Sequence, residues 1–365
     1  MQSILVYGTM FTSSVLLANR AKKTGGKGYL LAIILILSFV CGCRSMTVGI
    51  DTNSYYILFK SIVLTGKNTY YYGMEKGFEF FCCTVLALVP STQFLFFLTA
   101  LITFTFVICR LWEFHEIAEF DWMVACFLVS FYTFLLSGIR QGVAVAIVFW
   151  GTRFLEKKKY VWYVICVILA GTFHKTAVLA CLSFLWELRF WGQLSKKNRY
   201  FLALCVLAMP AAAYFLMQNY TVEQYSKFIS VSFGKRILVE CGFGILSLIA
   251  FAFDDRGVVR HRHKVFLNKN HLDSRASLQQ RIATVKVYYA VGVLIQLSGY
   301  ISSSFARSGL YWYWFESVFM GMMVKSKKNQ RIFRVMFFLF LAYICYSDGK
   351  RNGNWQLPYL FFWQA

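Results

Sequence analysis

Two nearly charge-free apolar runs, residues 122–136 and 143–155, meet at the polar knot Ser137-Gly138-Ile139-Arg140-Gln141-Gly142. Runs of this kind recur along the chain, and each has to be buried in protein or in lipid. With 58% hydrophobic residues over 365 positions and a mean hydropathy of +0.55, a soluble domain could not cover the apolar surface. The pattern predicts an all-α, polytopic helix bundle embedded in a membrane. Arg140 is costly there. An arginine at mid-membrane costs roughly 2.5–3.5 kcal/mol on insertion scales, so it tends to face a bundle interior or a wet cavity and to meet an anion. Taken alone, Arg140 also fits the end of one span, snorkelling to the headgroups. The adjacent Gln141, and similar polar knots elsewhere, favour a functional site.

The net charge of +22 would suggest nucleic acid in a soluble protein. Here the Lys and Arg residues sit in short loops between apolar runs, as the positive-inside bias predicts, and no nucleic-acid partner is needed. The 11 Cys fall mostly inside apolar runs without a metal-type CxxC pair. They read as small packed or lipid-facing residues, not as a disulfide framework or a zinc site. His261, His263 and His271 lack a nearby carboxylate or Cys set, so no metal is expected. The first apolar run has no basic residues before it and no small-residue cleavage site after it, so it is read as a retained span.

Charge then fixes an expected topology. Residues 3–18 form a short first span, and the basic turn 19–27 is cytoplasmic. Residues 29–43 return to the outer face, where a polar stretch, 44–76, begins. The apolar segment 77–89 is too short for a crossing of roughly 20 residues and reads as interfacial or re-entrant. Residues 94–111, 122–136 and 143–155 cross in turn, and Glu156-Lys157-Lys158-Lys159 marks the inside. A break at 172–176, around His174, lets two short helices enter and leave, which keeps the basic loop 189–199 cytoplasmic. Further crossings follow at 200–217, 237–253, 287–303, 310–324 and 335–346. A basic cytoplasmic loop, 254–286, lies between the second and third of these, and the tail 348–365 is external. The sum is about 10 to 12 membrane segments in a single membrane domain. No internal repeat, Walker pattern or GxGxxG pattern is visible.

On this topology Arg44, Asp51, Glu75, Glu79, Arg140, His174, Arg236 and Arg307 share one side of the membrane. Singly, each has an ordinary reading. Arg44 and Arg307 suit span ends, Asp51 in Gly49-Ile-Asp51-Thr-Asn suits a turn or helix N-cap, and Glu79 suits the polar face of an interfacial helix. Together they suit recognition of a lipid-borne phosphate. Arginine holds phosphate oxygens bidentately and keeps its charge, and a carboxylate or imidazole beside it can take a proton from an attacking hydroxyl. A diphosphate becomes a good leaving group once neutralised, and arginine can do that without a metal or other cofactor. A transporter of anionic lipid would want similar arginines.

The string Arg44-Ser-Met-Thr-Val-Gly49-Ile-Asp51-Thr-Asn-Ser-Tyr55 resembles the R-x4-G-x-D-x3-Y signature of the EpsG family of bacterial exopolysaccharide proteins. Glu75-Lys-Gly-Phe78, Ser137 to Ala144, Phe173-His174-Lys-Thr-Ala177, Arg307-x3-Tyr311 and the closing Leu-Pro-Tyr-Leu-Phe-Phe-Trp of residues 357–363 follow in the family's order. The resemblance implies a Wzy-type polymerase, a membrane glycosyltransferase of exopolysaccharide or capsule biosynthesis. It implies a multi-pass protein of the bacterial cytoplasmic membrane, joining polyprenyl-diphosphate-linked oligosaccharide repeat units at the outer face. Membrane lipids and other polysaccharide assembly proteins are its further expected partners. On this reading Arg44, Arg140 and Arg307 hold the diphosphate, with Gln141, Tyr55, Glu75 and Tyr311 around the substrate. Asp51 is the leading candidate base and His174 the second. All five of Arg44, Asp51, Arg140, His174 and Arg307 are expected to converge on one cavity. A flippase or exporter of the same lipid is the alternative, disfavoured by the lack of repeats and of a charged path to the cytoplasmic side. A membrane acyltransferase with His174 as base is a weaker one.

Overall fold

The computed structural model describes residues 2–70, 73–184, 239, 241–247, 271–297, 303–326, 330–350 and 359–364. Among these the chain is all-helical, with one isolated antiparallel bridge, between Arg44 and Phe361. It divides into two compact units, Met1–Val178 with Arg331–Ala365, and Leu179–Gln330. The first unit contains α1 (Gln2–Thr24), α2 (Lys27–Gly42), α3 (Thr52–Thr65), α4 (Lys76–Leu88), α5 (Thr92–Glu113), α6 (Phe120–Ser137), α7 (Ile139–Glu156) and α8 (Tyr160–Phe173). Two of these, α5 and α6, are long and apolar enough to cross a membrane, and α2 and α8 are shorter apolar helices.

Two expected loops contain helix. The first helix continues through most of the basic turn 19–27, because Ala and Lys are good helix formers and nothing stops the chain before Gly25, whose φ is +69°. Lys22 and Lys23 in that last turn also suit the negative end of the helix dipole. The polar stretch 44–76 holds α3, which starts after Asp51 and ends at Gly66 in the left-handed conformation. Leu58, Phe59 and Ile62 recur at helical spacing on its buried face and pack with Phe78, Cys82 and Leu86 of α4 and Leu95 and Phe96 of α5.

Helix α5 is central, packing on α2 and α7; α7 lies against α8, and α6 against α1. Ser91 caps α5, its Oγ accepting the Phe94 N–H at 3.2 Å. The joint between α6 and α7 is Gly138 alone, and the chain of residues 49–52 docks on it. Ile50 N–H donates to Ser137 Oγ at 3.0 Å, and Thr52 Oγ1 to the Leu136 carbonyl at 3.1 Å. Only glycine fits at position 49, where φ is +98° and a Cβ would lie 2.5 Å from the Leu136 oxygen. The expected break at His174 is present: α8 ends at Phe173, His174 is extended, and a 3-10 helix runs over Lys175–Leu182.

From the tail, residues 359–364 strap the first unit. Tyr359 Oη donates to the Val40 carbonyl at 2.7 Å, Ser45 N–H to the Leu360 carbonyl at 2.8 Å, and Phe362 N–H to the Cys43 carbonyl at 3.0 Å. Also in this unit, α12 (Gln330–Lys350) sets Phe337 and Phe338 edge-on to Trp122.

In the second unit, α9 (His271–Leu297) packs on α10 (Ser303–Tyr313) and α11 (Phe315–Lys325). The end of the basic segment 254–286 is therefore helical and continuous with the apolar run after it. Residues 254–270, the loop 189–199, the run 200–217 and Arg236 lie outside the described residues.

Candidate functional site

Glu75 is the hub of the polar residues in the first unit. It precedes α4 in an extended conformation (φ −63°, ψ 130°), held there by the α3–α4–α5 apolar cluster, in which Met74 and Phe78 are buried. Its Oε2 accepts from Arg140 Nη1 at 2.6 Å. Its other oxygen, Oε1, accepts the Lys175 backbone N–H at 3.2 Å and lies 3.3 Å from His174 Nδ1, off the direction of a straight hydrogen bond. Arg140 Nε donates to Tyr55 Oη at 3.1 Å. One carboxylate thus gathers side chains from α3, α7 and the end of α8.

The local reasons are legible. Arg140 is the second residue of α7, at the end where the helix dipole disfavours a cation, so it requires an anion more than an arginine elsewhere would. His174 is the C-cap of α8, its N–H donating to the Ala170 carbonyl at 2.9 Å. The helices come close because position 77 is glycine: a Cβ there would lie 2.3 Å from Thr172 Oγ1 and 2.9 Å from the Thr172 carbonyl. Side-chain exposure is 16% for Arg140, 10% for Glu75 and 22% for His174, so the cluster is sheltered without being sealed.

Burial alone would raise the Glu75 carboxyl, but His174, the backbone N–H groups of Glu75 and Lys175, and the Arg140 charge outweigh it and hold the carboxyl at about 2. Glu75 is therefore a permanent anion near neutral pH. It can orient a guanidinium and an imidazole, and it cannot serve as a proton acceptor there.

Of the residues singled out by sequence, Tyr55, Glu75, Arg140 and His174 are brought together. Asp51 stands one turn before Tyr55, half-buried at the head of α3, its carbonyl accepting the Tyr55 N–H at 3.0 Å; its side chain does not cap the helix. Gln141 follows Arg140 and is buried. Glu79 pairs with Lys76 at 3.0 Å on the exposed side of α4. Arg44 is apart from this cluster and 1% exposed. Its guanidinium donates to the Cys41 carbonyl and to Thr52 Oγ1, and lies over the Phe96 ring at 4.6 Å. Among the described residues no carboxylate reaches it. Arg307, which is exposed, and Tyr311, which is buried, belong to α10 of the second unit.

Three further residues carry weak sequence signals. Lys175 sits at the hub through its backbone, flagged only by its place after His174. Glu316, a lone acid in an apolar run, is fully buried on α11. Arg110 is fully buried at the opposite end of the first unit, between Glu113 and Glu156.

The EpsG family model matches residues 27–361, nearly the whole chain, and the chain belongs to that family. Membership associates it with a membrane and with exopolysaccharide polymerisation. No curated protein and no solved structure gives a match.

Proposed function

We propose that the protein is a polytopic enzyme of the bacterial cytoplasmic membrane that polymerises polyprenyl-diphosphate-linked oligosaccharide into exopolysaccharide at the outer face, without a metal. One observation carries this reading: a carboxylate fixed in its charged form holds an arginine and a histidine together, in a family associated with polysaccharide polymerisation. The loops rich in lysine, around Lys22 and around Lys157, belong to the other ends of α1 and α7. The positive-inside bias then assigns the Glu75 end to the outer face.

In this mechanism the hydroxyl of the acceptor sugar attacks the anomeric carbon of the lipid-linked donor. A new C–O bond forms, the bond to the diphosphate oxygen breaks, and that oxygen leaves with the electron pair. Arg140, oriented by Glu75 and Tyr55, faces the charge developing on the diphosphate. The hydroxyl proton passes to His174. With Nδ1 beside Glu75, the tautomer protonated at Nδ1 is favoured, which leaves the Nε2 lone pair as acceptor. A carboxylate that fixes a tautomer and steadies the cation formed on it is a recurring device for a general base. Asp51, at the head of the Tyr-rich α3, then orients the acceptor sugar.

The test is to incubate the purified protein with lipid-linked repeat units and resolve the products by size. A ladder of longer chains is expected, and Arg140→Lys should weaken it, because a point charge does not replace a planar fork. Movement of the lipid across the bilayer without any ladder would replace the polymerase by an exporter.

A further inference from the structure

Helix α8 carries an apolar stripe open to the surroundings. Val161, Ile165, Ile168 and Leu169 are exposed and recur at the spacing of one helical face. The other face, with Tyr163, Cys166 and Val167, is buried and packs on α7, where Gly151 meets Cys166. Over its 14 residues the helix is roughly 20 Å long, more than the hydrocarbon depth of one leaflet, about 15 Å. Exposed apolar residues also mark α1, α2 and α12, as on Leu5, Leu35 and Phe338, and these suit contact with bulk lipid. The α8 stripe differs in where it ends. Its last turn sets Thr172 against Gly77, two residues from Glu75. The chain then turns at His174 and presents Lys175, exposed and anchored by its own N–H to Glu75.

We propose that this face of α8 is the track for the isoprenoid tail of the diphosphate lipid, and that Lys175 takes the diphosphate at its end. The assignment rests on the polymerase reading and says where the lipid enters. The physical fit is twofold. An isoprenoid needs a continuous apolar surface reached laterally from the bilayer, so that the tail never leaves lipid. The diphosphate needs cations where the stripe stops, and an ammonium on a flexible stem beside the fixed Arg140 supplies a second one. The backbone bond to Glu75 holds the stem's base, so the lysine searches a small volume next to His174.

The test uses the full chain in nanodiscs, with a photoreactive benzoylphenylalanine at Ile168 on the track or at Leu35 on α2, a control face also exposed (63% and 43%). The probe is tritiated polyprenyl diphosphate. Labelling at 168 should exceed that at 35 by roughly tenfold, the ratio given by about 1.4 kcal/mol of preference. Unlabelled polyprenyl diphosphate should compete it away, and phosphatidylglycerol should not. Equal labelling at the two positions, or equal competition by phosphatidylglycerol, means bulk or anionic lipid only and overturns the proposal. Lys175→Glu should lower labelling at 168 several-fold while the protein keeps its elution profile. Unchanged labelling in that variant overturns the placement of the diphosphate. Failure of the wild type to build a ladder, with specific labelling intact, would sink the polymerase and leave the lipid track standing.

Discussion

The first unit has an arginine held by acid at each end, and the two are held differently. Arg110 is wholly buried, donating to Glu113 at 2.7 Å, to Glu156, and to Thr152 Oγ1 at 3.2 and 3.0 Å, with Phe114 over its face. Arg153 pairs with the same Glu113 at 3.0 Å, so two arginines meet two carboxylates in a set that ties the end of α5 to the end of α7. At the other end one carboxylate serves an arginine, an imidazole and a backbone N–H. Two arginines matched to two carboxylates, with one guanidinium wholly buried among them, read as a tie between helices. A single carboxylate shared between a guanidinium and an imidazole is suited to orienting groups for chemistry.

Exchanging carboxylate for amide at the Glu75 end should therefore have the largest effect on activity. Glu75→Gln removes the anion from Arg140 and His174 together, and we expect the rate of ladder formation to fall by about three orders of magnitude, comparable to loss of an orienting carboxylate elsewhere. Solubility and elution should be little changed. At the Arg110 end the effect should move to stability. Arg110→Met takes the guanidinium from between two carboxylates and should cost about 3–5 kcal/mol, the range for breaking a buried pair from one side. This is read as a lower unfolding temperature in detergent, with ladder formation per folded molecule unchanged. A variant at 110 that folds normally but makes no polymer would erase the distinction between the two ends.

Next in size comes the separation of His174 from Asp51. His174→Gln should slow polymerisation by about a hundredfold or more, the usual worth of a general base, without weakening lipid binding. Asp51→Asn should chiefly raise the acceptor concentration needed for half-maximal rate. The reverse outcome would return the base to Asp51. Acid tests the hub independently. The folded Glu75 carboxyl is depressed from the ordinary 4.5 to about 2, so its contribution to stability is complete above about 4.5 and is lost as pH falls through about 2. In Glu75→Gln that part of the acid transition should disappear from a stability–pH profile, while the wild type retains it.

These outcomes bear on what the amino-acid order could reveal. Arg140 was legible because a cation between two apolar runs has few tolerable positions, and the break at His174 because a single crossing there would put basic residues on the wrong side. The partner of Arg140 was not legible from periodicity: Glu75 lies 65 residues away, in a segment whose helical pattern is short. Arg44 shows the limit of reading span-end arginines. Sequence cannot say whether such a side chain turns out to a headgroup or in to the Cys41 carbonyl and the Phe96 ring, and here it turns in. Helix α3 was hidden by Thr, Asn and Tyr around it, although Asp51 and Gly66 mark its two ends. Arg307 and Tyr311 belong to the other compact unit, and an order of motifs along a chain does not convey that division.

The smallest expected effect concerns how close the elements at the Glu75 end must be kept. Gly77→Ala adds one methyl where a Cβ would sit 2.3 Å from Thr172 Oγ1, 2.4 Å from Thr172 Cβ and 2.9 Å from the Thr172 carbonyl. Rotating the threonine relieves the first contact and leaves the other two, so α4 and α8 must move apart. Overpacking of this kind typically costs about 1–3 kcal/mol, and here the shift falls on the two elements that bring Glu75 to His174 and Lys175. Two readouts should then part. Stability should drop modestly. Activity should fall further, by about tenfold or more, because a misplacement near 1 Å in a catalytic set can cost that much without any lost group. Thr172→Ala alone should be mild, since its Oγ1 bonds only within its own helix, to the Leu169 carbonyl at 2.7 Å. Combined with Gly77→Ala it should restore little, because the Thr172 Cβ and carbonyl contacts persist in the alanine. Full activity in Gly77→Ala would mean that activity does not depend on the Glu75–His174 distance.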